Sequence, residues 1–500
     1  MYINPLTAID FYKSDHHRQY PEGTTEVYSN FTARSGRLSK VIKETYDNKV
    51  VFFGLQYFIK DFFINAWNEQ FFKKPKNEVI DTYKRRMDYS LGKDAISVEH
   101  ISALHDLGYL PLKIKALPEG TRVPIGVPIL TIVNTHPNFF WLTNYIETVI
   151  SCYLWKPTTS ATTAFEYKKL LTEYAIKTGA PKDFVQFQAH DFSFRGMSSL
   201  QDAALSGAGH LTSFWGTDTV PAIDLAEDYY GANAEQEMIG CSVPATEHSV
   251  MCMGRQDGEL STFKRLISEL YPSGIVSIVS DTWDFWKVVT EYTVLLKDII
   301  LQRDGKLVIR PDSGDPVKII AGDPEAPENS PEYKGAIECL WDIFRGTITD
   351  QGYKLLDSHI GLIYGDSITL ERAQAILQRL EEKGFASTNV VFGIGSYTYQ
   401  YATRDNFGFA MKATSGIVNG IRRDIYKDPK TDSGTKKSAK GLLRVERLGD
   451  SLALYDQQTE EQEKQGALEV VFLDGKLTKS MSLTEIRNRI DEYLFNHLSA

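Results

Sequence analysis

Residues 242–249 read Ser-Val-Pro-Ala-Thr-Glu-His-Ser, so that a histidine, His248, sits beside an acid, Glu247, among hydroxyl side chains. Elsewhere polar, glycine and aromatic residues cluster in or just after short apolar runs: Phe192 and Arg195, Asp218, Ser277 and Asp281, Arg310 and Asp312, Gly365 and Asp366, Gly395 and Ser396, then Arg404. These residue types suit a phosphorylated sugar. Carboxylates accept hydrogen bonds from vicinal ribose hydroxyls. Backbone N–H groups at a glycine turn that opens a helix bind a terminal phosphate. Arginines clamp further phosphate charge in bidentate fashion, and aromatic faces such as Phe192 and Tyr12 sandwich a flat heterocycle. Any one of Asp218, Asp312 and Asp366 could be a helix N-cap, but caps alone are a poor account of the whole set.

Such residues meet only if the runs before them are neighbours. Six apolar runs, at 184–187, 211–215, 275–279, 307–309, 360–364 and 390–392, end in polar or glycine residues, and most are separated by enough chain for a crossover helix, such as 370–383. Near-continuous apolar runs joined by helices predict parallel strands buried on both faces. Either an α/β barrel or an open doubly wound sheet follows, and both collect ligand residues at the carboxyl ends of their strands. The flanks differ. Residues 26–31 alternate like a half-buried strand closed by Arg34, 51–88 and 139–178 read as helical, and 112–116 with 129–133 read as a small, separate antiparallel element. Residues 426–441 form a polar, locally basic loop or lid. Ser482 and Glu485 make a capping-box pattern, and Leu483, Ile486, Ile490 and Leu494 fall on one helical face.

Composition narrows the field. The 500 residues carry a net charge of −10, which argues against a nucleic-acid binder. The four cysteines have no CxxC or Cys/His ligand spacing, so a reduced, cytoplasmic setting is expected. The first residues lack the features of a secretory signal, and no apolar run approaches membrane-spanning length, so no membrane association is expected. There is no GxxxxGK[ST], no HExxH and no G-x-S-x-G.

Taken in order, the stretches at 10–13 with 19–21, 190–192 with 195–196, 216–220, 242–249, 279–281, 309–314, 365–366 and 419–420 with 427–429 resemble the nicotinamide phosphoribosyltransferases, type II phosphoribosyltransferases of nicotinamide salvage. The resemblance implies an irregular α/β barrel with a second mixed α/β domain formed by N- and C-terminal segments: 1–180, then the barrel at 181–405, then 406–500 returning. It implies transfer of the phosphoribosyl group of phosphoribosyl pyrophosphate (PRPP) to nicotinamide, with Mg²⁺, in a homodimer whose active sites lie at the subunit interface. In that picture the ring stacks between Phe192 and the other subunit's tyrosine at position 12, and Asp218 accepts from the carboxamide. Arg195, Ser242, Val243, Ser277 and Arg310 lie near base and ribose. Asp312 and Asp366 hold ribose hydroxyls. Gly365, Gly395 and Ser396 approach ribose and 5′-phosphate. Arg404, Arg34, Lys412 and Lys427 meet phosphate or pyrophosphate. His248 is phosphorylated from ATP, with Asp281 and Glu247 orienting it. The metal ligands stay unassigned. Ser396-Tyr397, Ser367 and Cys241 depart from the family pattern. An acid at 218 favours nicotinamide over nicotinate by like-charge repulsion. The alternatives are nicotinate phosphoribosyltransferase, an inactive sugar-phosphate-binding interaction protein and, more weakly, a glycoside hydrolase.

Overall fold

The computed structural model describes residues 3–365, 367–427 and 439–498. Asp366 and residues 428–438 of the basic loop therefore lie outside the described residues. Six parallel strands form one sheet: β1 (Ala189–Asp191), β2 (Gly216–Thr217), β3 (Val276–Val279), β4 (Leu307–Arg310), β5 (Ile360–Tyr364) and β6 (Val390–Ile394). Their order is β2-β1-β6-β5-β4-β3, with every adjacent pair parallel. This is barrel order with a gap between β2 and β3. Residues 241–246 fill the gap. Cys241 bridges Gly216 and Ala245 bridges Ser277, both in the parallel sense. Thr217 N donates to Cys241 O at 2.9 Å, and Ser277 N donates to Pro244 O at 2.9 Å. Pro244 has no N–H to give, so this strip cannot be a regular ladder strand. The sheet thus curls into the irregular barrel, and the open-sheet alternative is not adopted.

The barrel is hollow. Along β4 the outward Leu307 and Ile309 are buried under helices, whereas the inward Val308 and Arg310 are only half-buried. Inward residues are the more accessible ones because the lumen is not filled by side chains, unlike the packed interior usual for such barrels.

Two of the six runs are not strands. Residues 185–188 are a helical turn, and 211–215 are the end of helix Leu200–Leu211 and its exit. Phe184 and Phe187 stand three apart with ring centroids 6.3 Å apart, a helical spacing. Phe214 N still donates to His210 O, prolonging the helical pattern. The true strands β1 and β2 come later and are very short.

The expected small antiparallel element is part of something larger. Leu112–Ala116 and Pro128–Asn134 belong to a seven-stranded antiparallel sheet with Thr24–Thr32, Ala410–Val418, Ile421–Asp424, Glu469–Leu473 and Lys476–Leu477. Strand 24–32 pairs with 410–418 on one side and with 128–134 on the other, so one sheet joins both ends of the chain. Helix Glu147–Thr178 packs against helix Leu200–Leu211 of the barrel. The last helix, Leu483–Leu498, buries Leu483, Ile486, Ile490 and Leu494, and Ser482 and Glu485 cap each other reciprocally. Its Arg487 donates to the carbonyls of Leu211, Met238 and Ile239, fixing the chain that leads into the closing strip. Among the described residues, no helix is long and apolar enough to cross a membrane.

Candidate active site

The carboxyl ends of the strands converge on one mouth, which opens into a luminal cavity of about 360 Å³. Phe192, Asp218, Ser242, Val243, Ser277 and Arg310 all line it. Asp218 follows β2, with its backbone N–H on Asp191 O at 2.9 Å. Its Oδ1 takes two bonds, from His190 Nε2 at 2.9 Å and from Ser242 Oγ at 2.6 Å. Burial pushes this carboxyl up, but the bonds from His190 and Ser242 and the charge of Arg310 outweigh burial and hold it below the ordinary carboxylate value. Oδ2 has no hydrogen-bond partner among the described residues, so one fixed oxygen and one open acceptor face the cavity. Ser277 Oγ is likewise buried there without a partner among the described residues.

Phe192 comes from the end of β1. Its ring lies on Gly393 of β6, where an added Cβ would fall 2.6 Å from Phe192 Cδ2 and 2.7 Å from Tyr364 O. Only glycine at 393 lets the ring lie there. Arg310, at the end of β4, donates from Nη2 to Thr246 O at 2.7 Å. Burial lowers its pKa and the positive charge of Arg195 adds to this, while Asp312, Asp218 and Asp281 act in the opposite direction.

Asp281 joins two parts of the mouth. Its Oδ1 meets His248 Nε2 at 3.1 Å, and its Oδ2 accepts the Asp312 N–H at 3.0 Å. Its side chain is 5 % exposed, against 47 % for His248. Asp312 abuts Gly365, where a Cβ would sit 2.5 Å from Asp312 Oδ1. Gly196, just after Arg195, lies so close to Ser396 that a Cβ would fall 2.1 Å from Ser396 Oγ. The loops after β1 and β6 therefore touch. Gly395 precedes the short helix Ser396–Tyr399, and the space beside it is open.

Other expected residues are less tightly joined to this cluster. Glu247 is the residue before helix His248–Met253, and its carboxylate accepts from Ser249 Oγ, so it is not brought onto the His248 ring. Arg195 and Arg404 are exposed, Arg404 beside Asp405 at 3.5 Å. Tyr12 is 60 % exposed, and its ring meets His16. Arg34 donates to Gly408 O at 3.1 Å. Lys412 has its pKa lowered by burial and lies in the field of Glu147, Arg34, Lys427 and Lys13. Among the described residues, no hydrogen bond, ion pair or ring contact joins Tyr12, Arg34, Lys412 or Lys427 to the mouth. His190 is the main residue that sequence reasoning missed. The signal was its place two residues before Phe192, hence on the same face of β1.

A hollow parallel barrel with carboxylates, arginines and an aromatic face at one mouth defines a class, and the comparisons agree with it. The Nicotinate phosphoribosyltransferase (NAPRTase) family matches residues 187–476, and the "Nicotinamide phosphoribosyltransferase, N-terminal domain" family matches residues 4–114. The chain is similar to the nicotinamide phosphoribosyltransferase of Acinetobacter baylyi, 64% identical over 98% of both chains. It is also similar to that of Mycoplasma pneumoniae, 36% identical over 88% of this chain and 95% of the other. A solved nicotinate-nucleotide pyrophosphorylase from Pyrococcus furiosus shares the fold at TM-score 0.57 and 14% identity, covering 99% of this chain and 98% of that one. The chain belongs to the nicotinamide phosphoribosyltransferase family.

Proposed function

We infer that the barrel mouth transfers the phosphoribosyl group of PRPP to the ring nitrogen of nicotinamide, giving nicotinamide mononucleotide and pyrophosphate. The observation that carries the choice of base is Asp218. His190 and Ser242 fix one of its oxygens and leave the other open to a carboxamide N–H. A nicotinate carboxylate would meet like charge in the same place. The ring nitrogen has a free lone pair, so no general base is needed. Attack at ribose C1 forms the C–N bond as the C–O bond to pyrophosphate breaks. In this reading Asp312 holds ribose hydroxyls and Arg310 offsets charge that develops at the mouth.

Magnesium belongs to this reading as a companion of the substrate. Among the described residues, no group of three ligating side chains is placed to hold a metal ion. Magnesium commonly binds through substrate phosphates while keeping several waters, so PRPP is its carrier here. Among the described residues no hydrogen bond, ion pair or ring contact ties Tyr12, Arg34, Lys412 or Lys427 to the mouth of their own chain, which supports a homodimer in which each copy lends them to the other's barrel. The setting is the cytoplasm.

His248 fits an energy-coupling role. With Nε2 on Asp281, Nδ1 of the half-exposed ring keeps its lone pair for nucleophilic attack. In-line attack by Nδ1 on the γ-phosphorus of ATP forms an N–P bond, breaks the β–γ P–O bond and releases ADP. The second oxygen of Asp281, on the Asp312 amide, ties that event to the ribose-binding loop. Incubating the purified protein with PRPP, Mg²⁺ and either base tests the central reading. Nicotinamide mononucleotide is the expected product, and product from nicotinic acid alone would overturn it.

A further inference from the structure

The luminal cavity does not end at the mouth. Lys306, Val308 and Arg310 follow the two-residue period of a strand, so all three face the lumen. At about 3.3 Å per residue, Lys306 lies roughly 13 Å from Arg310 along the strand, towards the amino-terminal end of the barrel. Phe187 before β1, Ile360 at the start of β5 and Thr388 before β6 line the same end.

Two polar groups at this end are donors without hydrogen-bond partners among the described residues. The Lys306 ammonium makes no hydrogen bond or ion pair among the described residues, and stands 5.7 Å from the centre of the Phe184 ring. Burial lowers its pKa, and the charge of Asp357, which is engaged with His359 Nδ1 at 2.6 Å, acts in the opposite direction. Thr388 is 9% exposed, and its hydroxyl is buried with no partner among the described residues. The neighbouring Asn389 is fully used: its Oδ1 accepts from Leu356 N at 2.8 Å, and its Nδ2 donates to Lys354 O at 2.8 Å. A cation and a free hydroxyl beside two phenylalanine rings select a flat apolar ring that carries a negative charge.

We propose that the amino-terminal end of the barrel lumen is a second ligand site that binds an aromatic carboxylate, with its anion on Lys306 and Thr388 and its ring against Phe184 and Phe187. One lumen then sorts pyridines by charge. The amide is held at Asp218, and the acid that Asp218 repels is accepted at the opposite end. The cavity volume falls within the range of about 300–1,000 Å³ that takes drug-sized ligands, leaving room beyond a single ring. The site stands on the lumen's own geometry and does not depend on the transfer reaction.

The test is calorimetric titration of the full chain, without PRPP, with benzoate and with nicotinate, and with uncharged benzamide as control. Expected are binding of both anions to the wild type, weakening of at least about tenfold in Lys306→Met and several-fold in Thr388→Val, and retention in Lys306→Arg and Phe192→Ala. Unchanged thermal melting of the Lys306 variants shows that they fold. No binding of either anion to the wild type would overturn the proposal. So would binding that survives Lys306→Met and is lost in Phe192→Ala, because the carboxylate would then sit at the mouth.

Discussion

Replacing Asp218 by asparagine removes one charge and little else. The amide oxygen can still accept from His190 Nε2 and Ser242 Oγ, so the mouth keeps its shape. Two unit charges about 4 Å apart interact by roughly 4 kcal/mol at an effective dielectric constant near 20. The Asp218 side chain is 45% exposed, so solvent screens its repulsion of a bound nicotinate carboxylate. A value of about 2 kcal/mol remains. Losing the charged acceptor for the carboxamide N–H costs nicotinamide about 1 kcal/mol. Both changes act in the same direction. The ratio of kcat/KM for nicotinate over nicotinamide is expected to rise by about 10²-fold in Asp218→Asn. Initial rates with each base at saturating PRPP, read by chromatography of the two mononucleotides, give that ratio. A change of less than about threefold, or an equal fall for both bases, would refute the argument that charge at 218 sets the choice.

Three further outcomes are expected. His248→Ala loses ATP hydrolysis and the ATP effect on the reaction while still forming nicotinamide mononucleotide without ATP; persistence of ATP stimulation would remove His248 from energy coupling. Hybrid dimers of Tyr12→Ala with Phe192→Ala, purified through two different tags, contain one intact shared site and recover about half of wild-type activity, whereas each parent stays low; inactive hybrids would contradict lending between copies. His100 is half-buried with both ring nitrogens shielded from solvent, stacked on His17 at 3.7 Å and edge-on to Trp141 at 4.8 Å, and desolvation first and then the His17 charge push its pKa down to about 3. Its folded pKa is thus depressed, so its contribution is fully present above pH 6.5 and is lost as pH falls towards 3. The loss is on the order of 4 kcal/mol. Urea midpoints measured against pH should show a flatter acid limb in His100→Phe, and an unchanged limb would show that His100 does not titrate in that window.

The sequence made the barrel legible wherever inward and outward residues both read as strand. Runs 275–279, 307–309, 360–364 and 390–392 fall on β3 to β6, whose carboxyl ends reach one mouth. Runs 184–187 and 211–215 misled because a buried helical turn and a helix exit are as apolar as a buried strand, and runs this short carry no period to separate them. The antiparallel sheet was illegible for another reason. Strand 24–32 meets 410–418 across most of the chain, and alternation names a face without naming a partner. Adjacency in sequence also misplaced Glu247, whose side chain turns to Ser249, while Asp281 reaches His248 from the end of β3.

The closing strip ties these points together. A regular strand at 241–246 would have sealed the barrel with a uniform ladder. Pro244 forbids that, and the strip crosses the gap through two separate bridges. Freed from the ladder, Ser242 turns its hydroxyl to Asp218 and Thr246 offers its carbonyl to Arg310. Two residues later His248 begins a helix against Asp281. The local rule that fails here, an apolar run ending cleanly at a strand terminus, fails where the chemistry is placed, as expected when a fold gives up regularity to position a site. A histidine beside an acid was weak evidence by itself. Its position at the end of an irregular barrel segment, with Asp281 bonded both to its ring and to the Asp312 amide, gives His248 a physical link to the Asp312 loop that Glu247 does not provide.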